Sequence, residues 1–530
     1  MRLQECCKPN HSLLTFYLCN IFVFSLLPLI NSEAFQNPPE VRSVDGILET
    51  TINIQYATIS LNQNTINTRL LNGILPGTTL RLDAGDLLKV NFNNNLVQQT
   101  TRVVQHNAFQ TPDTSNLHFH GPFISGELPS DDVTMAVPAG QSYQYQTVFP
   151  VEHMPGTFWI HPHYHGSTSL QVSGGTAAAL IVNDPAGYLP TEIESARELV
   201  MVIQHFDLEE TAEIAGESGD NRFSYTGNGP TEFLTNSGIV NPDITVASNE
   251  WIRTRVIYAG WEAGALDMQI SLSSGSGNCE MVLLAKDGIY ISDFPRTVSI
   301  GRIPPGGRAD FMVKCSADDG SIFQIQGLDG LDMGRIVISG SMTDTTLSSW
   351  TPTMPFYLAD TRSETVTNAC NCPTRVANCN CNGNCPEALF TGANFAENNA
   401  RSVEIVSRRK KRQAGGPGGP GGPPGGGGGG GGGDDFCING RPMEMDMEPI
   451  HLQAFNQIQE RSLGGTGAHP YHQHTWPFQL ISGVAGNDDQ NSYFRTGDWH
   501  DVYLNTQGGP GTTTVMRFVP RKYSAIKKEG

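Results

Sequence analysis

The sequence predicts an all-β protein built from repeated β-sandwiches. From about 41 to 345, short apolar/polar alternating runs such as GDLLKVNFNN, QSYQYQTVF, WIRTRVIYAG and GGRADFMVKC are separated by Gly, Pro and Asn turns. Period-two alternation is typical of strands that bury one face, and long helical periodicity is scarce. Two pairs of similar stretches indicate a duplicated sandwich. VPAGQSYQY near 137 is similar to IPPGGRADF near 303, and LRLDAGDLLKVNF near 80 is similar to ITVASNEWIRTRVI near 244.

Length and charge limit the function classes. The chain has 530 residues and a formal net charge of −19, so we expect about three or four domains. The acidic balance argues against nucleic acid and against anionic membrane surfaces as partners, because both repel a negative protein.

The N-terminus predicts secretion. A basic start precedes the apolar run 13–30, and Ser32-Glu33-Ala34 follows as a small-x-small cleavage pattern, so we expect a signal peptide over 1–34. An uncleaved anchor is the alternative, but Pro28 and the small residues after it favour removal. Eight cysteines lie beyond this segment, and an even number in an oxidising compartment suggests disulfides, with a pairing that the sequence does not assign.

Composition divides the rest of the chain. We expect domains over 41–188, 189–345 and 346–530, the last containing a Cys-rich insert at 370–385 and a Gly/Pro-rich linker at 407–435. The linker cannot bury a core and is expected to be disordered. We interpret the insert as disulfide-knotted, with a thiolate metal cluster as the alternative. RRKKR (408–412) resembles a proprotein-convertase site with cleavage after Arg412; a solvated basic linker is equally compatible with it.

Three histidine clusters predict a metal site: HFHG (118–121), HPHYHG (161–166) and HPYHQH (469–474). On an extended strand residues i and i+2 share a face, so each His-x-His pair aims two imidazoles at one point. His469 would face the opposite side from His472 and serve a second centre. Imidazole binds copper, zinc, iron or nickel, so the ligand type alone leaves the metal open. The residues expected to bind metal are His118, His120, His161, His163, His469, His472 and His474. His165 fits a shared cluster less well, and the solitary histidines are interpreted as structural.

These motifs, in this order, resemble those of the multicopper oxidases of the laccase-like group. HFHG is similar to the family's His-x-His-Gly, the stretch 156–182 resembles its second motif, and AHPYHQHTWPFQLI (468–481) resembles its His-Pro-x-His-x-His. The region from NPDITVASNEWIRTRVI to GRIPPGGRADFMVKC looks like the family's second domain. The resemblance covers most of 41–345 and 436–520 and implies three cupredoxin-like Greek-key β-sandwich domains.

The resemblance also implies a role for each residue. His118 and His472 resemble ligands of the type 2 copper, whereas His469 resembles a ligand of the type 1 copper. The residues that resemble ligands of the binuclear type 3 pair are His120, His161, His163 and His474. Asp131, in LPSDDVT, resembles a catalytic acid beside the cluster that orients ligands or supplies protons. Its neighbour Asp132 is an alternative for that role, and two solvated loop carboxylates are another.

The function that the resemblance implies is that of a secreted oxidase. Such an enzyme couples one-electron oxidation of phenols, aromatic amines or metal ions to the reduction of dioxygen to water. The family completes its copper sites with a His-Cys-His-x-x-x-His motif, which this sequence does not contain. We therefore expect an incomplete form, without the type 1 Cys and two of the eight cluster histidines, and without the intense blue thiolate band.

Two other function classes remain as alternatives. One is a non-catalytic, secreted copper-binding or matrix protein built on cupredoxin domains, which copper stoichiometry would distinguish. The other is a zinc hydrolase, which would need a carboxylate base beside an open metal site. No such motif accompanies these histidines.

Overall fold

The computed structural model describes residues 33–99, 109–261, 264–363, 402–406, 437–438, 441–442, 458–465, 470–484, 492–504 and 513–519. These residues form 31 strands and a few short helices, so the predicted all-β class is confirmed. Several predicted features lie outside the described residues: 1–32 of the predicted signal peptide 1–34, the Cys-rich insert, RRKKR, the Gly/Pro-rich linker and His469. The helices are α1 (Thr168–Ser173), α2 (Thr191–Glu194) and α3 (Leu208–Ser218), with 3-10 turns at Leu328–Gly330 and Phe356–Leu358. In the part of the chain that the structure describes, no helix has the length and apolar character needed to span a membrane.

Two five-stranded sheets form the first sandwich. In the order of pairing, the first consists of β1 (Glu40–Arg42), β4 (Gly77–Leu82), β9 (Ala178–Val182), β8 (Gly156–His161) and β6 (His118–His120). The second consists of β11 (Ser224–Gly227), β3 (Asn64–Leu71), β2 (Ile47–Leu61), β5 (Leu87–Asn94) and β7 (Ser142–Val148). The predicted boundary at 188 does not separate every strand, because β11 lies beyond it yet pairs with β3.

Strand β5 illustrates how these sheets pack. Its residues Leu88, Val90 and Phe92 are buried at alternate positions because successive side chains of a strand point to opposite faces. They share one core with Leu80 of β4 and Leu180 of β9, which belong to the other sheet. The alternation in the sequence therefore marks the inner face of a sandwich.

The second sandwich pairs a seven-stranded sheet with a five-stranded one. The larger follows the order β12 (Glu232–Asn236), β10 (Arg197–Asp207), β14 (Trp251–Ala259), β20 (Arg308–Ser316), β16 (Asn278–Lys286) and β17 (Ile289–Tyr290), with β18 (Arg296–Thr297) also on β16. The smaller follows β13 (Asp243–Ser248), β22 (Leu331–Ser341), β21 (Ile322–Gly327), β15 (Leu266–Ser274) and β19 (Gly301–Ile303). Cys279 and Cys315 lie opposite each other on β16 and β20 and form a disulfide.

The last described part of the chain packs against the second sandwich. Its larger sheet follows β25 (Arg441–Pro442), β24 (Cys437–Ile438), β23 (Ser402–Val406), β26 (Gln459–Gly465), β31 (Thr514–Phe518), β28 (Phe478–Ser482) and β29 (Trp499–His500). A separate pair consists of β27 (Pro470–His472) and β30 (Val502–Leu504). Phe478, Trp499 and Tyr503 share a core cluster with Leu283 and Ile291 of the second sandwich.

A buried ionic network joins the first two sandwiches. The guanidinium of Arg255 donates to Glu198 at 2.6 Å, to Asp310 at 3.1 Å and to Asp184 at 3.1 Å. Asp310 also accepts from Thr157 on β8 at 2.6 Å. Because a buried charge without a partner is costly, this network holds β8, which ends at His161, in a defined position against the second sandwich.

Candidate metal centre

The first histidines of the site lie on two paired strands. In the antiparallel register of β6 and β8, His118 lies opposite His161, and the two ring centroids are 5.1 Å apart. His120 shares a strand face with His118, with ring centroids 5.4 Å apart. Both of these histidines on β6 are buried. The predicted convergence of the HFHG pair is therefore confirmed.

His163 reaches the cluster from a loop instead of a strand. Strand β8 ends at His161, and the proline that follows has no N–H with which to continue the ladder. The backbone N–H of His163 donates to Asn116 Oδ1 at 2.6 Å. Its ring lies 5.0 Å from that of His118.

His472 and His474 complete the cluster from the other end of the described chain. His472 stacks on His120 with ring centroids 3.8 Å apart, and His474 stacks on His118 at 4.4 Å. Strand β27 ends at His472. The rings of His472 and His474 lie on the same side, with centroids 4.7 Å apart, as expected for residues i and i+2. The chain bends only after His474, where Thr475 has a φ of +69°.

The ring nitrogens have a consistent arrangement. Nδ1 of His161 donates to Pro162 O at 2.9 Å, and Nδ1 of His472 donates to Asp501 O at 2.9 Å. A carbonyl oxygen only accepts, so Nε2 of each of these rings keeps its lone pair. The Nε2 atoms of His118, His120 and His472 are buried and have no hydrogen-bond partner. Such orphaned atoms are costly unless something binds them.

Burial keeps these imidazoles neutral. It lowers the pKa of His163 to about 4, with a smaller contribution from His165, and the pKa of His472 to about 3, with smaller contributions from Arg308 and His163. The other four have pKa values well below the usual range, again chiefly through burial; they are His118, His120, His161 and His474. A neutral imidazole is the form that binds a metal ion.

Three sets of donor atoms lie close enough to share a metal ion, each set within 4.8 Å. The sets are His118, His472 and His474; His118, His120 and His161; and His120, His472 and Asp501. The first set brings together the two residues expected to share the type 2 copper. The division of the histidines between type 2 and type 3 sites stays a prediction.

Comparisons with known proteins agree with this geometry. Residues 53–187 match the family model described as multicopper oxidase. Over 264 residues the chain is 28% identical to the multicopper oxidase mco of Staphylococcus epidermidis, covering 48% of this chain and 50% of that protein. Over 279 residues it is 25% identical to laccase-7 of Arabidopsis thaliana, covering 51% of this chain and 44% of that protein. These comparisons show that the chain is similar to multicopper oxidases, with the family model matched at residues 53–187.

A solved structure extends the likeness to the whole fold. The multicopper oxidase of Campylobacter jejuni, described as a metallo-oxidase, superimposes with a TM-score of 0.59 at 16% identity, covering 92% of this chain and 90% of that one. This confirms the expectation of several cupredoxin-like sandwich domains. In sequence, the matches span about half the length of the curated relatives.

The donor set of this chain fits copper. Six neutral imidazoles lie in one cluster, and three of them have Nε2 atoms without a hydrogen-bond partner; imidazole is a good copper ligand. The family uses copper at type 1, type 2 and type 3 sites. Of the type 1 ligands, the expected His469 lies outside the described residues.

Asp131 lies directly beside the cluster. Its two carboxyl oxygens are 2.8 and 3.0 Å from His118 Nδ1, and Oδ1 accepts from the Phe119 N–H at 2.9 Å. Burial raises the pKa of Asp131 well above its usual range. Asp132 instead accepts from the N–H and hydroxyl of Thr134. Of the two carboxylates, Asp131 alone contacts a cluster histidine, and its catalytic role stays a prediction.

The remaining described histidines lie outside these three donor sets. His153 is structural, since Nδ1 donates to Met154 O at 2.7 Å and Nε2 accepts from Phe123 N at 2.9 Å. His205 contacts Glu232 and His500 contacts Asp287. His165 is half-buried with no hydrogen-bond partner for Nε2, and it belongs to none of the three sets.

Sequence reasoning missed Asp501, Arg308 and Asp287. Asp501 Oδ1 lies 3.6 Å from His120 Nε2, and Arg308 donates to both of its carboxyl oxygens. The signal available was a charged residue inside a strand that is otherwise apolar, as in GGRADFMVKC and WHDVYL. Such residues are rarely buried unless they are paired.

Proposed function

We propose that this chain is a secreted, laccase-like copper oxidase that couples one-electron oxidation of a small reductant to the reduction of dioxygen to water. One observation carries the proposal: six imidazoles from distant parts of the chain meet in one cluster, and three of them have buried Nε2 atoms without a hydrogen-bond partner. Phenols, aromatic amines and low-valent metal ions are the candidate reductants, and the similarity to a laccase supports the organic ones.

The protein's own residues hold and orient the site. Copper, when bound, supplies the one-electron redox chemistry that imidazoles lack. Hydrogen bonds at Nδ1 fix the rings of His118, His161 and His472. Nε2 of His118 and of His472 is therefore the atom available for metal, whereas Nε2 of His161 lies 3.3 Å from His120 Nδ1. Burial excludes bulk water from the cluster. Asp131 holds a proton between its carboxyl group and His118 Nδ1, at the edge of the site.

Secretion is part of the proposal. The N-terminal apolar run with its small-x-small pattern supports it, and the disulfide between Cys279 and Cys315 supports an oxidising compartment. We also propose convertase cleavage after Arg412, which would leave His472 on a different chain from His118. The intact mass of secreted protein tests both ideas. An N-terminus at residue 1 rejects removal of the signal peptide, and an unbroken chain rejects cleavage after Arg412.

The oxidase proposal is tested by copper content and oxygen uptake on one preparation. The copper-loaded protein is assayed with a phenol, an aromatic amine and Fe(II) in turn, beside the variant His118→Ala. Reductant-dependent uptake that the variant lacks supports the proposal. Full copper loading without uptake favours the non-catalytic copper-binding protein. Because the 530 residues contain no His-Cys-His, we expect no intense thiolate band from this chain alone.

A further inference from the structure

Among the described residues, the second sandwich contributes no donor to the three sets at the cluster, yet it contacts the segment that carries the site. Arg308 begins β20 and its side chain is fully buried. It donates from Nη1 to Asp501 Oδ1 at 2.7 Å and from Nη2 to Asp501 Oδ2 at 2.6 Å. Two parallel bonds of this kind fix orientation as well as distance.

The other guanidinium donors bind backbone carbonyls. Arg308 Nε donates to Thr157 O at 3.3 Å, Nη1 to Gly306 O at 3.2 Å and Nη2 to Asp287 O at 3.0 Å. One side chain therefore connects β8 of the first sandwich, the turn after β16 in the second, and Asp501 in the last part. A planar group held on all sides in this way has little freedom to move.

The side chain of Asp287 contacts the same segment, chiefly at the backbone N–H groups of that segment. Its Oδ2 accepts from His500 Nδ1 at 3.1 Å, from the Asp501 N–H at 3.3 Å and from the Val502 N–H at 3.4 Å. Its Oδ1 accepts from the Arg308 N–H at 3.0 Å. The backbone on both sides of Asp501 is thus tied to the second sandwich.

Asp501 passes this restraint to the cluster. Its carbonyl oxygen accepts from His472 Nδ1 at 2.9 Å and from the Gln473 N–H at 3.0 Å. Both carboxyl oxygens accept from Arg308, and Oδ1 lies 3.6 Å from His120 Nε2. The adjacent positive charge of Arg308 disfavours a cation on Asp501, so the carboxylate acts on the site through position and not as a ligand.

We propose that Arg308 and Asp287 of the second sandwich are positioning residues, which act through Asp501 to set where His472 stands relative to His120. The inference rests on the proposed copper function. It also explains the glycine of HFHG: Gly121 has a φ of +98°, and a Cβ there would overlap both Arg308 Nη2 and Asp501 Oδ2. The glycine therefore provides the space through which the second sandwich reaches the site.

The test compares Arg308→Gln and Asp501→Asn with the control Arg302→Gln. Arg302 also makes a two-bond pair, with Asp267 at 2.8 Å for each bond, but on the half-exposed surface. Copper affinity, copper per chain and the hyperfine splitting of the type 2 copper EPR signal are measured on folded protein. We expect about 10- to 100-fold weaker copper binding and an altered splitting in the first two variants, and wild-type values in the control.

The outcomes separate the two proposals. Wild-type affinity and splitting in Asp501→Asn, which keeps the backbone carbonyl, would overturn the inference even if Arg308→Gln fails to fold. If the wild-type protein binds no copper, the proposed function fails instead. Crystal structures of the metal-free wild type and Asp501→Asn then test the positioning alone: we expect the ring of His472 to leave its 3.8 Å stack on His120, and an unchanged stack contradicts the inference.

Discussion

The imidazole of His472 stacks on that of His120, with ring centroids 3.8 Å apart and planes 17° apart. One residue belongs to the first sandwich and the other to the last described part of the chain. The Nε2 atoms of both are buried and unpartnered. Burying a ring nitrogen without a partner lowers the stability of the fold. A metal ion bound to these nitrogens would remove that loss of stability.

Replacing a cluster histidine should remove copper. We expect His472→Ala to bind at least one copper fewer per chain than the wild-type protein, because its imidazole belongs to the donor set with His118 and His474. Elemental analysis of folded, copper-dialysed protein measures this. His205→Gln, which changes a histidine outside those sets, should retain the wild-type content. Equal losses in both variants would mean that copper does not bind at the cluster.

Asp131→Asn should weaken the site without emptying it. The amide has one acceptor oxygen in place of two and carries no negative charge, so it holds His118 Nδ1 and the Phe119 N–H less strongly and the ring of His118 is less firmly oriented. We expect about 10- to 100-fold lower copper affinity. The matched control is Asp132→Asn, whose side chain contacts Thr134. If Asp132→Asn lowers copper affinity as much as Asp131→Asn does, the specific role of Asp131 is contradicted.

The stability of the metal-free protein should fall in acid. Burial lowers the pKa of His163 to about 4 and of His472 to about 3, whereas unfolded imidazoles titrate near 6.5. Between these values the unfolded chain binds more protons than the folded one. The free energy of unfolding therefore decreases as pH is lowered from 7 towards 4, by at most about 1.4 kcal/mol per pH unit for each histidine.

Urea denaturation at several pH values measures this slope. His472→Gln should reduce the slope, since it removes one titrating group. A free energy of unfolding that stays constant or rises between pH 7 and 4 would contradict the burial of neutral rings.

The ionic network between the first two sandwiches should be essential for stability. Asp310 accepts from Arg253 at 2.8 Å and from Arg255 at 3.1 Å in a fully buried setting. Asp310→Ala leaves both guanidinium groups undercompensated, and we expect a loss of about 3–5 kcal/mol in the free energy of unfolding. Arg197→Gln, at the more exposed pair with Glu250, should cost about 1 kcal/mol or less. Similar losses in both variants would refute the special role of the buried network.

Local pattern predicted the fold class and the identity of the site histidines. Period-two alternation is a property of the strand itself, so β5 and the pair His118 and His120 could be anticipated from the sequence. The same argument places His474 beside His472, as found, but it does not predict the bend that follows at Thr475. Turn geometry depends on a few backbone angles that residue type constrains weakly.

The contacts from the second sandwich could not be predicted in this way. Arg308 and Asp501 are 193 positions apart in sequence, and their pairing depends on how two sandwiches dock. No periodicity encodes that docking. A buried charge in a strand indicates that a partner exists, but only the assembled chain shows which one.

The central claim is that histidines from both ends of the described chain bind copper together. Anomalous diffraction at the copper edge from crystals of the copper-loaded protein tests it most directly. We predict anomalous peaks in the space enclosed by the rings of His118, His120, His161, His163, His472 and His474. Copper bound only elsewhere on the protein, with this space empty, would contradict the claim.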